Sequence, residues 1–407
     1  MMRISALWTV AAVCLVACGP SGHTSTPGSV VASSARSVSD LTTDNYLSGI
    51  ACRTTTDCIA VGYLAEGIDT IGPATRTLML ENSGGGWKIV HSPNATGRTG
   101  SSLSGITCLA SGKCIAVGSS EDEGSNPLTL IEESGAEGWT IVPSPNPTAF
   151  GDVGSLNAVA CSTLSRCVAV GSYESETGYQ QTLVEENRGQ GWVLMPSPNT
   201  SGYEDNRLSA IACPSQSLCI AVGWHGATGG KEQPLIERDS GSGWTIVSAT
   251  GVGRLSGIAC LGVTWCVATG GNFAISSEIT EQPIIEEMAD GAWTVAGTSQ
   301  AIGTLGGVAC PTTNYCISVG SVLTARLGGN IGPVITAERD NGAWTIGHPP
   351  IFGSNVEAFD SVACPTSSRC IGVGHQLVLG GAYVEPRATL IAERTGAGWT
   401  VDSTPSI

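Results

Sequence analysis

Short runs of apolar and β-branched residues recur along the chain, four to a unit. In the first unit they cover residues 47–52, 58–62, 77–81 and 87–90, and Gly, Pro, Asn or Ser residues bound each run. Runs of this length and composition predict β-strands. Four antiparallel strands in a unit of about 50 residues are typical of a β-propeller blade, whereas helical repeats show a 3.6-residue period. The chain is therefore predicted to be all-β.

A pair of cysteines with five residues between them begins each of seven units, and one tryptophan follows each pair. The pairs are Cys52/Cys58, Cys108/Cys114, Cys161/Cys167, Cys213/Cys219, Cys260/Cys266, Cys310/Cys316 and Cys364/Cys370. The first cysteine ends one predicted strand and the second begins its antiparallel neighbour, so the two face each other within disulfide reach. A bridge across so short a loop contributes about 2 kcal/mol. We predict a seven-bladed β-propeller with four antiparallel strands and one disulfide per blade.

The ring is predicted to close by packing between the first and last blades, because each unit carries all four strand-like runs of its own blade. A strand at residues 29–34 is a further candidate for helping this closure. A cysteine-rich metal site is the rival explanation for the cysteines. It would need His/Cys clusters or Cys-x2-Cys pairs, and the sequence has neither, so no metal is predicted.

A repeated glutamate precedes each tryptophan, with a Gly-rich turn between them. It stands six residues before the tryptophan in six units and, at Glu237, seven before it in the fourth, where we infer a one-residue insertion; the six are Glu81, Glu133, Glu186, Glu287, Glu338 and Glu393. Here the chain resembles the Asp-box propellers of the sialidase-like group, although Glu replaces Asp and the spacing differs. The resemblance implies the fold and no catalytic residue. These glutamates are expected to accept hydrogen bonds from turn amides.

The complete repeat, from residue 47 to the C terminus, also resembles uncharacterised exported bacterial proteins with Cys-x5-Cys-x-Ala-Val-Gly units. That group implies no known activity. The resemblance agrees with the cysteine content, because sixteen cysteines in one chain are typical of proteins that fold in an oxidising compartment.

The first 17 residues have the pattern of an export signal, with a positive start and a short apolar stretch. The stretch ends in Leu15-Val16-Ala17-Cys18, which resembles the bacterial lipobox and implies lipidation of Cys18. Cys14 matches less well, and an ordinary secretory signal is the alternative. Residues 18–43 are rich in Ser, Thr, Gly and Pro and predict a flexible linker, so the propeller is placed at residues 44–407.

The charge balance limits the partners. Lys and Arg number 18 against 34 Asp and Glu, the net charge is −16, and no basic block occurs. Binding to nucleic acid or to anionic headgroups requires clustered cations, so neither is predicted. We expect a monomer outside the cytoplasm that touches the membrane only through Cys18.

Two faces of the ring are distinguished by their turns. The turns between the first and second and between the third and fourth strands keep a nearly constant length; we call their side the frame face. The turns between the second and third strands and the links between blades vary, and we call their side the loop face. Variable loops on a rigid frame carry function, so the ligand site is predicted on the loop face. Trp265, in a Cys-x5-Cys turn on the frame face, is a separate candidate for an exposed partner contact.

The candidate ligand-binding residues stand beside the predicted channel mouth. Arg207 and Arg254 precede the first strands of blades four and five, and Trp224 and His225 follow the Ala-Val-Gly run of blade four. Arginine binds carboxylates and tryptophan packs on sugar faces, which suits an anionic or sugar-like ligand. The alternative is that the arginines pair locally with Glu204 or Asp205. Equivalent positions in blades one and seven add three weaker candidates, namely Tyr46, Tyr63 and His375.

No catalytic set emerges from the sequence, and no cofactor is predicted. A sialidase needs three converging arginines, and only two share an equivalent position here. Loop carboxylates suited to a glycosidase pair do not stand out by spacing; they are Glu121, Asp122, Glu123, Glu174, Glu176 and Asp360. The sequence favours a binding or assembly module for an envelope protein or glycan. The runner-up is a polysaccharide hydrolase or lyase, and a purely structural envelope protein is the third alternative.

Overall fold

The computed structural model contains seven four-stranded antiparallel sheets, each formed by consecutive strands. It describes residues 43–66, 74–147, 153–200, 204–226, 231–275, 279–298, 301–323, 331–349, 357–377, 387–396 and 398–405. The export signal, Cys18 and the candidate strand at residues 29–34 lie outside these ranges. No helix among the described residues is long and apolar enough to cross a bilayer.

Each sequence unit supplies one complete blade, as predicted. The strands of blades one to four are β1 (Thr43–Cys52), β2 (Asp57–Glu66), β3 (Ala74–Ser83), β4 (Lys88–Ile89), β5 (Gly100–Cys108), β6 (Cys114–Glu121), β7 (Pro127–Gly135), β8 (Gly138–Val142), β9 (Gly154–Thr163), β10 (Arg166–Glu174), β11 (Gln180–Asn187), β12 (Trp192–Leu194), β13 (Asp205–Ser215), β14 (Leu218–Gly226), β15 (Gln233–Asp239) and β16 (Trp244–Val247). Those of blades five to seven are β17 (Arg254–Cys260), β18 (Trp265–Ile275), β19 (Ile279–Ala289), β20 (Ala292–Thr298), β21 (Thr304–Thr312), β22 (Tyr315–Leu323), β23 (Ile331–Asp340), β24 (Ala343–Gly347), β25 (Glu357–Thr366), β26 (Arg369–Leu377), β27 (Arg387–Thr395) and β28 (Gly398–Val401).

A disulfide joins the first two strands of every blade, which confirms the predicted pairing. The Cα atoms of the bridged cysteines are 3.9–4.1 Å apart in Cys52–Cys58, Cys108–Cys114, Cys161–Cys167, Cys213–Cys219, Cys260–Cys266, Cys310–Cys316 and Cys364–Cys370. Seven structural disulfides indicate an extracytoplasmic location, because reducing compartments keep such thiols unpaired.

The two cysteines of each bridge differ in burial, which their spacing in the sequence does not reveal. The first is half-buried in every blade. The second is at most 3% exposed and belongs to the core; these residues are Cys58, Cys114, Cys167, Cys219, Cys266, Cys316 and Cys370. The buried cysteines pack against apolar side chains between blades, so their role is structural and they cannot contact a ligand.

A glycine in the second strand lets the first strand approach closely. A Cβ atom added at Gly62 would lie 1.9 Å from the carbonyl oxygen of Tyr46, so any side chain is excluded there. The other six blades show the same approach, at 1.8–2.0 Å, at Gly118, Gly171, Gly223, Gly270, Gly320 and Gly374. This is the physical reason for the Gly of the repeated Ala-Val-Gly run.

An irregularity in the pairing of the first two strands follows in every blade. The register shifts between Leu47 and Gly49 in blade one, and at the equivalent place in the others. A β-bulge of this kind redirects the extra residue out of the ladder. Six of the skipped residues line a cavity on the ring axis, namely Ser48, Ser104, Asn157, Ser209, Ser256 and Asp360.

The core consists of apolar clusters between neighbouring blades. Each cluster combines side chains of two adjacent sheets, such as Ile59 and Val61 of blade one with Leu103 of blade two. The same packing joins the last blade to the first, where Leu47 and Leu80 lie against Val373. The predicted mode of ring closure is thereby confirmed.

Polar contacts reinforce this closure. The Trp87 indole N–H donates to Asp402 at 3.1 Å. The backbone N–H of Arg387 donates to Asp44 at 2.7 Å. Both bonds join blade one to blade seven, so the two ends of the described chain segment are held together without an exchanged strand.

The inferred one-residue insertion in blade four is wrong. Arg238 pairs with Ile220 at the ladder position where Glu186 pairs with Val168 in blade three. Arg238 therefore replaces the repeated glutamate, and Glu237 belongs to a different set one residue earlier. Spacing alone misassigned it because two polar residues stand next to each other before the turn.

The remaining repeated glutamates bind side chains, and the predicted bonds to turn amides are not their main contacts. Glu133 accepts from Lys113 at 2.6 Å and from the Trp192 indole of the next blade at 3.1 Å. Glu338 likewise accepts from Arg394 of the next blade at 3.0 Å. The turn amides are bound by the residue that follows the glutamate, namely Asn82 or Asn187, and in blade four by Asp239, which follows Arg238. The repeated glutamates therefore have a structural role, as predicted, but they contribute contacts between neighbouring blades.

Trp265 is half-buried rather than exposed. It packs in the cluster between blades five and six, and the Arg339 guanidinium lies 5.3 Å from its ring centre. The expected exposed indole on the frame face is therefore wrong, because Arg339 and the neighbouring blade cover it.

A set of buried glutamates links blades one to four near the loop face. Glu132, Glu185 and Glu237 each accept a hydrogen bond from a serine in the link of the preceding blade, at distances of 2.7–3.1 Å. Burial raises the pKa of Glu132 and of Glu185 to about 8, against the opposing effect of the serine hydrogen bonds. These carboxyl groups are therefore neutral over much of the physiological range.

The buried glutamates predict a pH dependence of stability. Their pKa is higher in the folded than in the unfolded protein, so the stabilisation is present at acidic pH and is lost as pH rises from about 4.5 to about 8. Each group contributes a slope of at most about 1.4 kcal/mol per pH unit. We expect Glu132→Gln/Glu185→Gln to flatten the fall in Tm between about pH 5 and pH 8. Glu123→Gln/Glu176→Gln, at exposed positions, is the control. Equal slopes in both double variants would contradict the assignment.

Arg166 predicts a large loss of stability when removed. Only 6% exposed, it donates to Glu186 at 2.8 Å and to Asp239 of the next blade at 2.5 Å. Arg166→Ala would leave the buried Asp239 carboxylate without its cation, and we expect about 3 kcal/mol less free energy of unfolding. Arg188 also binds Glu186 but is 62% exposed, so Arg188→Ala should cost less than about 1 kcal/mol. Urea denaturation checks both values, and similar losses would refute this account.

Candidate functional site

Fourteen positions lie on the first two strands of the seven blades, next to the residues that line the axial cavity and on its loop-face side. They are the seven first-strand residues whose carbonyl groups contact the repeated strand glycines, and the seven second-strand residues paired with them. We call this set the mouth ring. The pairs are Tyr46/Tyr63, Ser102/Ser119, Ser155/Ser172, Arg207/Trp224, Arg254/Gly271, Thr304/Ser321 and Ala358/His375. The sequence placed the first members just before their strands, whereas the strands begin as early as Thr43 and include them.

Large side chains in the mouth ring fall into two groups. Arg207, Trp224 and Arg254 lie in blades four and five, and Tyr46, Tyr63 and His375 lie in blades seven and one. The other eight positions hold Ser, Thr, Gly or Ala. The seven-blade order places the two groups across the mouth from each other, with blades two and three on one side and blade six on the other.

The first group, which we call the cationic cluster, brings together three of the four leading sequence candidates. The Arg254 guanidinium lies 4.6 Å and the Arg207 guanidinium 5.5 Å from the centre of the Trp224 ring. Trp224 is half-buried, and Arg207 is exposed. The indole thus holds two guanidinium groups near one another by cation–π attraction.

Carboxylates surround only one side of this cluster. Arg254, whose side chain is 40% exposed, donates to both oxygens of Glu232. Burial raises the pKa of the nearby Glu281 to about 7, Arg254 lowers it, and Glu232 raises it. Arg207 is exposed and makes no ion pair with the residues that the structure describes.

The expected local pairing of the arginines with Glu204 or Asp205 does not occur among the described residues. Glu204 lies 3.1 Å from the Nδ1 atom of His225, and Asp205 accepts the backbone N–H of Gln180 at 2.8 Å. His225 is therefore engaged with Glu204, and the structure does not bring it into the cationic cluster.

The second group is an aromatic cluster formed by Tyr46, Tyr63 and His375. The Tyr46 ring stacks on His375 at a centroid distance of 4.2 Å and on Tyr63 at 5.3 Å. The Tyr46 hydroxyl donates to Asp360 at 2.8 Å, and His375 Nδ1 lies 3.3 Å from the other oxygen of that carboxylate. Burial, followed by the charge of Asp360, raises the pKa of Tyr46 well above its usual range. Tyr46 is therefore a neutral hydrogen-bond donor.

His375 differs from the other candidates in its burial. It is 3% exposed, whereas Tyr63 is half-buried. Its imidazole lies behind the Tyr46 ring and presents no open face to the mouth. The sequence could not distinguish these residues, because both follow the same strand run in their own blades.

Asp360 connects the aromatic cluster to the axial cavity. The cavity has a volume of about 200 Å³ and is lined mainly by serine side chains and backbone of the seven first strands. At the equivalent bulge the other blades have Ser, Ser, Asn, Ser, Ser and Gly, so Asp360 is the charged member. The sequence distinguishes Asp360 only as a charged residue where the other repeats have Ser, Asn or Gly. Its position on the axis could not be predicted, because it depends on the β-bulge.

In the part of the chain that the structure describes, we find no catalytic pair among the other loop carboxylates considered from the sequence. Asp122 accepts N–H bonds from Gly124 and Asn126 within its own turn, and these bonds lower its pKa. Among the described residues, no three His, Cys, Asp or Glu side chains are grouped as metal ligands.

Comparisons with known proteins support the fold and give no information on the chemistry of the site. No family model and no curated protein sequence matches the chain. A lectin from Burkholderia pseudomallei, BP39L, is similar with a TM-score of 0.54 and 11% identity, over 90% of this chain and 99% of that one. A protein of unknown function from Dyadobacter fermentans gives 0.51 and 9% over 87% and 96%. A Trypanosoma rangeli sialidase gives 0.48 and 12% over 85% and 53%, a score too low for any conclusion. The first two likenesses show the fold alone.

Proposed function

We propose that this protein is a lipid-anchored, extracytoplasmic module that binds an acidic glycan at the mouth ring. The observation that carries the proposal is the convergence of Arg207 and Arg254 on Trp224 in a protein of net charge −16. An exposed arginine that forms no ion pair with the described residues favours a ligand that brings its own negative charge. Carboxylates suit best, because guanidinium groups bind them through paired hydrogen bonds.

The composition of the mouth favours a glycan over a protein partner. Its surface is rich in hydroxyl groups from the mouth ring and the axial cavity, with aromatic rings at two places. Protein interfaces instead have an apolar core. Most exposed large aliphatic residues of the described chain lie on outer strands or frame-face turns, such as Ile89, Leu164 and Val401. A lectin with a similar propeller agrees with sugar binding on this architecture.

The hydrolase alternative gains no support from the carboxylates near the mouth. Glu232 is held by Arg254, Glu281 is fully buried, and both oxygens of Asp360 are engaged by Tyr46 and His375. A glycosidase needs one carboxylic acid and one carboxylate facing the scissile bond. The geometry therefore supports binding in preference to cleavage.

The proposed ligand predicts a charge-selective binding profile. On a glycan array, the protein should bind uronate- or sialate-containing glycans and should not bind their neutral counterparts. Arg207→Ala should weaken this binding about tenfold or more, because a charge-assisted contact contributes about 1.5–3 kcal/mol. Arg188→Ala changes the net charge equally at a frame-face position and should leave binding intact. Neutral glycans bound as tightly, or unchanged binding by Arg207→Ala, would count against the proposal. Capture of an envelope protein in place of any glycan would favour the protein partner.

The anchor rests on the likeness of residues 15–18 to a lipobox, and it has its own test. In cells grown with an alkyne-tagged fatty acid, the wild-type protein and Cys14→Ala should be labelled, and Cys18→Ala should not. Label retained by Cys18→Ala would show that Cys18 is not the modified residue. An unlabelled wild-type protein would mean an ordinary secretory signal.

A further inference from the structure

The mouth ring has a second group of large side chains that the cationic cluster does not use. Tyr46, Tyr63 and His375 occupy the same positions in blades one and seven as the cationic cluster does in blades four and five. The repeat thus places an aromatic surface across the mouth from an anion-binding surface.

Tyr63 is the end member of the aromatic stack, and its hydroxyl accepts a hydrogen bond from the Arg387 side chain. Its neighbour Tyr46 lies between two rings and is fixed by Asp360, so Tyr46 serves as a support. Blade two, on the other side of Tyr63, has only Ser102 and Ser119 in the mouth ring. Tyr63 is half-buried, and an aromatic ring with one supported face and a polar rim suits the apolar face of a sugar.

Blades one and seven also contain unused hydrogen-bonding groups. His375 Nε2, Asn45 Oδ1 and Glu357 Oε2 are buried and have no partner among the described residues. Burial raises the pKa of Glu357 to about 7. Buried polar atoms are rarely left unbonded, so these groups are candidates for bonds to a bound polar molecule or water.

The described mouth-ring positions between the two clusters hold small polar residues. Ser102, Ser119, Ser155 and Ser172 occupy the mouth-ring positions of blades two and three, and Thr304 and Ser321 occupy those of blade six. No large mouth-ring side chain therefore separates the clusters, and hydroxyl groups border the path between them.

The geometry points to two subsites of one site, and we infer that the ligand is an acidic oligosaccharide extended across the mouth. Its carboxylate binds at the cationic cluster, and a neutral sugar ring several units away stacks on Tyr63. This inference rests on the proposed function and adds to it, because a single acidic sugar would need only the cationic cluster.

The inference predicts that affinity depends on chain length. The probe is a series of size-defined hyaluronan oligosaccharides, which alternate a uronate with a neutral sugar, titrated by calorimetry into the full mature protein. Affinity should rise at least about tenfold once the oligomer is long enough to reach both clusters, because each stacked sugar adds contact area at no further cost in lost rotational freedom. Tyr63→Ala should abolish the rise and leave the short oligomers unaffected, whereas Arg207→Ala should weaken every length. Tyr63→Phe keeps the ring and should retain the rise.

Controls separate the two proposals. Tyr179→Ala removes a tyrosine of the loop face outside the mouth ring and should behave as wild type. Unchanged Tm values show that each variant is folded. Equal affinity at all lengths, with loss in Arg207→Ala, would overturn the second subsite and leave the proposed function standing. No binding at any length would overturn both. A length-dependent rise that survives in Tyr63→Ala would place the second subsite elsewhere and overturn the inference.

Discussion

The close approach of the first two strands at a glycine is the constraint from which the rest of the structure follows. At Gly62 and its six equivalents the backbone of the first strand occupies the space of a side chain. The register then shifts, and one residue per blade turns towards the axis. The same contact sets the mouth-ring residue of the first strand beside its partner on the second. A single small residue per repeat thus determines both the axial lining and the site.

Stability and binding are assigned to different faces. On the frame face, disulfides and ion pairs such as Arg166–Asp239 hold each blade and its neighbour rigidly. Near the loop face, buried neutral glutamates replace ion pairs between blades one and four. Arg254 is paired with Glu232, whereas Arg207 is exposed without an ion pair to the described residues, and this asymmetry is the basis of the functional proposal.

Repetition made much of the architecture predictable. Seven cysteine pairs and seven tryptophans indicate the number of blades, and the Cys-x5-Cys spacing indicates which strands the disulfides join. The identities of the mouth residues also followed, because they flank the same short runs in each unit. The contacts of these mouth residues could not be predicted from the sequence. Whether Arg207 faces Glu204 or Trp224 depends on the direction of side chains across a seam, which a linear spacing does not contain.

The wrong predictions share a physical cause. Glu237 was assigned to the wrong set by one position. Successive side chains of a strand point to opposite faces of the sheet, so an error of one residue reverses the predicted environment. In the sequence, Asp360 is not distinguished by its spacing from the other loop carboxylates, whereas in the structure the bulge places it on the axis beside Tyr46.

The most direct test of the central claim is a crystal structure of the mature protein with an acidic oligosaccharide bound. The account predicts a sugar carboxylate against Arg207 and Arg254 at the loop-face mouth. An oligosaccharide seated instead in the groove between blades six and seven, beside Trp399 and His348, or on the frame face, would contradict it.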